Sequence, residues 1–280
     1  MEIVSGIEDF KKCSEIAKEK GKWQAWYENY FVKYKVFDLI LKYLYMGDIS
    51  VMKEGVESLD FEKAIKTGGK FQDDDGIKLV KDLLLKCEEF CSIDIDYAVY
   101  LLIGSGLCDG TSLPAKDPFL YFGLEFYHSP RQLRYLIPHE YNHLVRDSAV
   151  KDADFDKIAI KNMVISEGLA TLFPVLLEKR EITPLSIADC GMMPMDAARY
   201  CHEHEEELFS EIREIWGEKP TPELLTEYFW SSSEGWRDKI QKKGYYAGSR
   251  IIGSLLDRGH DICSLTRMET DKILKLWGES

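Results

Sequence analysis

The segment HEYNH, residues 139 to 143, constrains this chain most strongly. It has the pattern H-E-x-x-H and lies in a stretch that we predict to be helical from about residue 129 to residue 147. Residues four apart lie on the same face of a helix, so His139 and His143 can offer two imidazoles to one metal ion. Glu140 is rotated by about 100° from His139. That rotation places Glu140 within reach of a water on the ion and outside the ligand set.

An open zinc site needs a third protein ligand and keeps a fourth position for water. Glu167 is the candidate, because it lies on the next predicted helix, residues 155 to 180. It stands in the apolar sequence VISEGLA, where an unpaired charge would be costly and a metal ion would remove that cost. Gly168 is small, which lets the two helices approach closely. The residues therefore predict a Zn²⁺ site with three protein ligands: His139, His143 and Glu167.

Two further histidines and one aspartate are other candidates for the metal site. His202 and His204 are two residues apart, so on a helix they point about 200° apart and cannot bind one ion. We interpret their acidic run, residues 203 to 207, as a solvated helix face, although one of the two histidines can still line a cleft. Asp147 is either an acceptor that orients His143 or a simple surface residue at the helix end.

The remaining sequence predicts an α+β fold that is mostly helical. Residues 5 to 92 have helical periodicity, including one long aromatic helix over 23–46. Two runs rich in β-forming residues, 95–103 and 119–127, predict a small β-sheet beside the H-E-x-x-H helix. Helical parts flank this sheet on both sides, and the C-terminal one is predicted as four helices: 155–180, 194–216, 222–229 and 245–258.

We expect three parts in the chain. They are a helical N-terminal region (1–92), the small sheet with the H-E-x-x-H helix (93–150) and a C-terminal helical subdomain that carries the glutamate ligand (151–280). The cleft is expected between the last two. Strand 119–127 is either an edge strand that pairs with an extended peptide or a sheet strand under the cleft. Pro138 should kink or restart its helix, because it has no N–H to bond the preceding turn.

Charge and cysteine content narrow the partners and the compartment. The 49 acidic and 36 basic side chains give a net charge of −13, which disfavours nucleic acids and anionic membranes as partners. The N-terminal sequence lacks the pattern of a signal peptide, and we expect no membrane span because no apolar run reaches about 18 residues. Seven scattered cysteines, an odd number, suit a reducing compartment. We therefore expect a cytoplasmic protein with no membrane partner; the sequence does not indicate its oligomeric state.

The motifs HEYNH, SEGLA and GYYAG together resemble those of the gluzincin metallopeptidases. More narrowly, they are similar to the YjaZ-like family of predicted zinc-dependent proteases. The resemblance covers residues 95 to 257. It implies a zincin-like fold in which His139, His143 and Glu167 bind zinc and Glu140 is the general base.

The resemblance also implies an activity. A zinc-activated water would hydrolyse a peptide bond in a peptide or protein substrate. Tyr245 matches the family position of an oxyanion stabiliser, and Tyr246 remains the alternative. Arg250 on the same helix is expected to pair with Glu140, Asp147 or a substrate carboxylate. The alternative functions are a catalytically silent zinc-holding binding or regulatory module and a helical scaffold without metal.

Overall fold

The computed structural model describes residues 1–150, 158–230 and 242–278. These residues form two compact units. The first unit contains residues 1–85 and 94–134, and the second contains residues 86–93 and 135–280. The fold is mostly helical with one small sheet, as the sequence predicts. The expected division into residues 1–92, 93–150 and 151–280, with a cleft between the last two parts, stays a prediction.

The N-terminal part of the chain is helical, but not with the predicted long helix over 23–46. That prediction is wrong, because the chain leaves the helical conformation at Tyr30 and again at Tyr34. The break turns both side chains inward: the Tyr30 hydroxyl accepts from the Ile103 N–H at 3.1 Å, and the Tyr34 hydroxyl donates to Asp9 at 2.6 Å. The helices are α1 (Ile7–Lys20), α2 (Lys22–Asn29), α3 (Val36–Leu44), α4 (Ile49–Ser58), α5 (Phe61–Asp73) and α6 (Gly76–Phe90), with a 3-10 turn at Phe31–Lys33.

The sheet of the first unit has four strands in the order β1-β2-β4-β3. They are β1 (Glu2–Ser5), β2 (Ala98–Leu102), β3 (Gly110–Thr111) and β4 (Phe119–Gly123). The parallel pairs are β1–β2 and β2–β4, whereas β3 and β4 are antiparallel. The sequence predicted β2 and β4 but missed the two shorter strands. Because β4 pairs with strands on both sides, the expectation that it is an edge strand is wrong.

Helix α7 (Pro130–Ala149) carries the H-E-x-x-H motif. It continues through Pro138, so the expected restart at that residue is wrong. Helix α8 (Ile160–Leu177) carries Glu167, and the start of its predicted range, 155–157, lies outside the described residues. The second unit continues with α9 (Pro184–Cys190), α10 (Met195–Glu203), α11 (Glu205–Ile215), α12 (Pro222–Tyr228), α13 (Lys243–Asp257), α14 (Ile262–Thr266) and α15 (Thr270–Gly278).

The predicted single helix over 194–216 is also wrong. It is divided into α10 and α11 at His204, whose φ and ψ are −116° and 32°. The division lets both segments contact α13: His202 lies 3.0 Å from the Tyr246 hydroxyl, and Glu205 accepts from Arg250 at 2.9 Å. These polar contacts with a neighbouring helix favour the break over a continuous helix. The predicted helices over 222–229 and 245–258 are confirmed as α12 and α13.

Two glycines bring α8 and α13 into close contact. A Cβ on Gly248 would lie 1.9 Å from the Val164 carbonyl oxygen, and a Cβ on Gly168 would lie 2.2 Å from the Gly248 carbonyl carbon. Only residues without a side chain fit at this crossing. The crossing places Glu167 on α8 near Tyr245 on α13.

Helix α8 is long and apolar enough to cross a membrane by length and composition, and it alone passes that test among the described helices. The expectation that no apolar run reaches about 18 residues is therefore wrong. Of its most apolar window, 61% is buried inside the protein. A buried core helix of a soluble protein passes the same test of length and composition.

Candidate metal centre

Three donor atoms from α7 and α8 converge in the second unit. The Nε2 atoms of His139 and His143 are 3.2 Å apart. Glu167 Oε2 lies 3.2 Å from His139 Nε2 and 3.5 Å from His143 Nε2. The structure thus brings together the three residues predicted as ligands, on elements separated in sequence. They form a His–His–Glu group that could hold a metal ion.

The spacing of these atoms fits one zinc ion. A tetrahedral ion bound to nitrogen and oxygen at about 2.0–2.1 Å has its ligand atoms about 3.3–3.4 Å apart. The three separations in the structure lie close to that value. In addition, Glu167 Oε2 is buried and has no hydrogen-bond partner among the described residues. A buried carboxylate oxygen beside two imidazole nitrogens is a donor set suited to zinc.

The charges of the three side chains are strongly linked. Burial disfavours the ionised form of Glu167, yet its pKa lies well below the usual range because His143 and His139 face the carboxylate. Burial lowers the pKa of His139. The pKa of His143 is raised, because Glu167, Glu140 and Asp147 outweigh the effect of burial there. The cluster therefore favours a negative Glu167 with a positive charge placed against it.

The residue that contacts the second nitrogen of His143 was not predicted. His143 Nδ1 lies 3.1 Å from the hydroxyl of Ser166, the residue before Glu167. Asp147 instead faces His143 as a nearby charge, and burial raises the pKa of its carboxyl to about 6. A ligand histidine usually gives its other N–H to such a partner, which fixes the ring orientation. The SEGLA motif contained this serine, but only the fold shows that it meets the histidine.

Glu140 and Tyr245 lie beside the donor cluster. Glu140 follows His139 on α7, and only 6% of its surface is exposed. The Tyr245 ring stacks on the His139 ring, with centroids 5.9 Å apart and planes 14° apart. Both residues predicted for catalysis therefore adjoin the three donors.

Tyr246 has a different environment, although it is adjacent in sequence. Its hydroxyl lies 3.0 Å from His202 Nδ1 and 3.4 Å from Glu205 Oε2. Arg250 pairs with the same Glu205, so its expected pairing with Glu140 or Asp147 is wrong. The other histidine of that run, His204, contacts Glu207. This second network holds α13 against α10 and α11.

Helix α7 is also restrained by polar contacts with the C-terminal helices. Asn142 donates to the Thr266 hydroxyl at 2.8 Å. The buried Arg146 donates to the Thr266 carbonyl at 3.1 Å, to the Met268 carbonyl at 2.9 Å and to the Thr270 hydroxyl at 2.8 Å. A buried guanidinium with several acceptors strongly restrains the helix that carries it. These contacts therefore restrain the helix that carries His139 and His143.

Comparison with known proteins adds a family to this geometry. Residues 101–275 match the family described as predicted Zn-dependent protease (DUF2268). The match includes all three donors, Glu140 and Tyr245. No curated protein and no solved structure matches the chain. The chain belongs to this YjaZ-like family of predicted Zn-dependent proteases.

Proposed function

We propose that the chain is a zinc-dependent peptidase of the gluzincin type. The observation that carries the proposal is the convergence of His139, His143 and Glu167, with donor atoms 3.2 to 3.5 Å apart. These three residues would hold the ion. When bound there, zinc supplies Lewis acidity and lowers the pKa of a water molecule toward about 7.

Glu140 is the general base in this proposal. Glu140 follows His139 on α7, and its rotation of about 100° around the helix supports a place for it beside the nucleophilic water. A largely buried carboxylate that is not itself a ligand can take the proton from that water. It can then pass the proton to the leaving amine of the peptide bond.

Tyr245 is the proposed oxyanion stabiliser. Its ring stacks on the ring of His139, so the Tyr245 side chain adjoins the donor cluster. The Tyr246 hydroxyl is held by His202 and Glu205 instead, which favours Tyr245 over its neighbour. A phenol that donates to the developing negative charge would lower the barrier without changing the metal ligands.

The proposed substrate is a peptide or protein, and the proposed location is the cytoplasm. Support for the location comes from the seven cysteines, none of which is in a disulfide in the structure. The net charge of −13 argues against nucleic acid as a partner. We regard α8 as a core helix because most of its apolar window is buried and Glu167 within it faces two histidines.

The test compares cleavage of a peptide library by the wild type and by the Glu140→Gln variant, with zinc content measured in both. We expect both proteins to hold about one zinc per chain and the variant to lose about 100-fold or more of the cleavage rate. Glu206→Gln, an exposed change in the acidic run, is the matched control and should leave the rate unchanged.

Two outcomes contradict the proposal. Full cleavage by Glu140→Gln would remove Glu140 from the mechanism. A zinc-loaded wild type that cleaves no peptide would instead support the silent zinc-holding module.

A further inference from the structure

A pair of cysteines lies close together in the second unit, away from the donor cluster. Cys91 directly follows α6, and Cys263 is on α14. The Cys263 thiol donates to the Phe90 carbonyl oxygen at 3.4 Å, next to Cys91 in the chain, and the two thiols shift each other's pKa. Cys263 is far from Cys91 along the chain, so sequence spacing does not indicate this pair.

An arginine connects the two cysteine segments. Arg267 Nη1 donates to the Cys91 sulfur at 3.2 Å and to the Cys263 carbonyl oxygen at 2.9 Å. Its Nη2 donates to the Ser92 carbonyl oxygen. The carbonyl contacts fix the guanidinium beside the sulfur of Cys91. A positive group held against a thiol stabilises the thiolate, which is the nucleophilic form.

The two thiols are therefore unlike the other buried cysteines. The neighbouring Cys263 thiol lowers the pKa of the Cys91 thiol against the effect of burial, and Arg267 lowers it further. The pKa of Cys263 is raised, first by the neighbouring Cys91 and then by burial. Burial alone raises the pKa of Cys13 to about 11, and it is the largest cause of the raised pKa of Cys190. Cys263 is partly exposed, which gives a small oxidant access to the pair.

We propose that Cys91 and Cys263 are a reactive dithiol that hydrogen peroxide converts to a reversible disulfide. The Cys91 thiolate attacks one peroxide oxygen, so an S–O bond forms, the O–O bond breaks and hydroxide leaves. The sulfur of Cys91 is thereby oxidised by two electrons to a sulfenic acid. The Cys263 sulfur, which gives up its proton, then attacks the Cys91 sulfur and displaces the second hydroxide. Two thiols and one peroxide thus yield one disulfide and two waters.

The disulfide would join two segments that already contact the H-E-x-x-H helix. The Tyr141 hydroxyl donates to the Cys91 carbonyl at 2.8 Å, and Asn142 donates to Thr266 at the end of α14. Both residues lie between His139 and His143 in sequence. A cross-link closing so long a stretch of chain should restrict the unfolded state strongly. We therefore expect the oxidised protein to unfold at a temperature several degrees higher than the reduced protein.

The experiment treats the zinc-loaded chain with hydrogen peroxide at pH 7 and maps its peptides without reduction. We expect a peptide that links Cys91 to Cys263 and disappears with dithiothreitol. In Cys263→Ser, oxidation should stop at a sulfenic acid on Cys91, which dimedone traps. Thermal unfolding of the oxidised and reduced wild type gives a second measurement that needs no variant.

Matched variants test the role of the guanidinium. Arg267→Gln should slow the oxidation of Cys91 about tenfold, and Arg267→Lys, which keeps the positive charge, should slow it less. Cys108 is the internal reference, because it is also partly exposed and is in no disulfide. The proposal is overturned if Cys91 reacts no faster than Cys108, if Arg267→Gln reacts at the wild-type rate, or if no linked peptide forms. None of these readouts depends on peptidase activity.

Discussion

Ser166 connects the SEGLA motif with the H-E-x-x-H motif at the level of single residues. Its hydroxyl lies 3.1 Å from His143 Nδ1 and so restrains the ring whose other nitrogen faces Glu167. Ser166→Ala should weaken zinc binding about tenfold, because outer partners of ligand histidines contribute on that scale. Competition with a chromophoric chelator measures the zinc affinity.

The control for this change is Ser254→Ala on α13. Ser254 is half-buried like Ser166, but its hydroxyl donates to the Ile251 carbonyl oxygen on its own helix at 2.8 Å. Its zinc affinity should equal that of the wild type. Equal affinity in Ser166→Ala would show that His143 needs no orienting partner.

Glu125 in the first unit should make folding stability depend on pH. Its carboxylate accepts from the N–H groups of Gly104 and Gly106 at 2.9 and 3.0 Å, yet burial raises its pKa to about 7. The folded protein therefore binds a proton there more tightly than the unfolded chain does. The resulting stability is present below about pH 4.5 and is lost as the pH rises to about 7, with a magnitude of about 3 kcal/mol.

The test is the free energy of unfolding by urea between pH 4.5 and pH 8. Glu125→Gln should remove this part of the pH dependence, while Glu19→Gln at an exposed site should keep it. The comparison uses the slope of the free energy of unfolding against pH. The side-chain amide of Glu125→Gln also changes the hydrogen bonds to Gly104 and Gly106, but it does so at every pH. An unchanged slope in Glu125→Gln would contradict the assignment.

Spacing along one helix explains which site residues could be predicted. His139, Glu140 and His143 lie on a single helix, and Glu167 is conspicuous as an acid in an apolar run. Ser166 as an orienting partner and Cys263 beside Cys91 depend on packing between distant segments. A single sequence carries no signal for such contacts. The expected pairing of Arg250 with Glu140 or Asp147 was wrong for the same reason, because Arg250 pairs with Glu205.

The crossing of α8 and α13 sets the site geometry at the level of elements. Gly248→Ala would place a methyl group 1.9 Å from the Val164 carbonyl oxygen and 2.9 Å from Gly168 Cα. The helices must then separate, which moves Glu167 relative to the two histidines. We expect a loss of about 3 kcal/mol or more in the free energy of unfolding, together with weaker zinc binding.

Gly253→Ala on the same helix is the matched control. There the added methyl meets the side chains of Ile182 and Leu172 at ordinary distances of 3.7 to 4.0 Å. Because alanine favours a helix over glycine, this change should stabilise the protein by about 0.5 to 1 kcal/mol. Urea unfolding measures both variants. Similar stabilities for the two would mean that the crossing tolerates a side chain.

Periodicity predicted the kinds of element better than their ends. The runs over 23–46 and 194–216 have continuous helical patterns, but tertiary contacts of Tyr30, Tyr34 and His202 favour breaks within them. Strands β1 and β3 were missed because four and two residues give little alternation to detect. Their pairing partners, β2 and β4, had longer apolar runs and were predicted.

For the whole molecule, the family match covers residues 101–275 and so includes the complete donor cluster. The helices before residue 101 lie outside the match and belong mainly to the first unit. Acidic side chains that contribute to the net charge of −13 have two roles in the structure. Glu167 belongs to the candidate metal centre, whereas Glu205 and Glu211 bond to Arg250 and Lys243 on α13.

The central claim is that one zinc ion is held jointly by His139, His143 and Glu167. The zinc content of the purified chain, compared between the wild type and Glu167→Gln after dialysis against a weak chelator, tests it most directly. We predict about one zinc per wild-type chain and a loss of most of it in the variant, because an amide is a far poorer zinc ligand than a carboxylate. A wild type without zinc, or a variant that keeps one zinc per chain, would contradict the account.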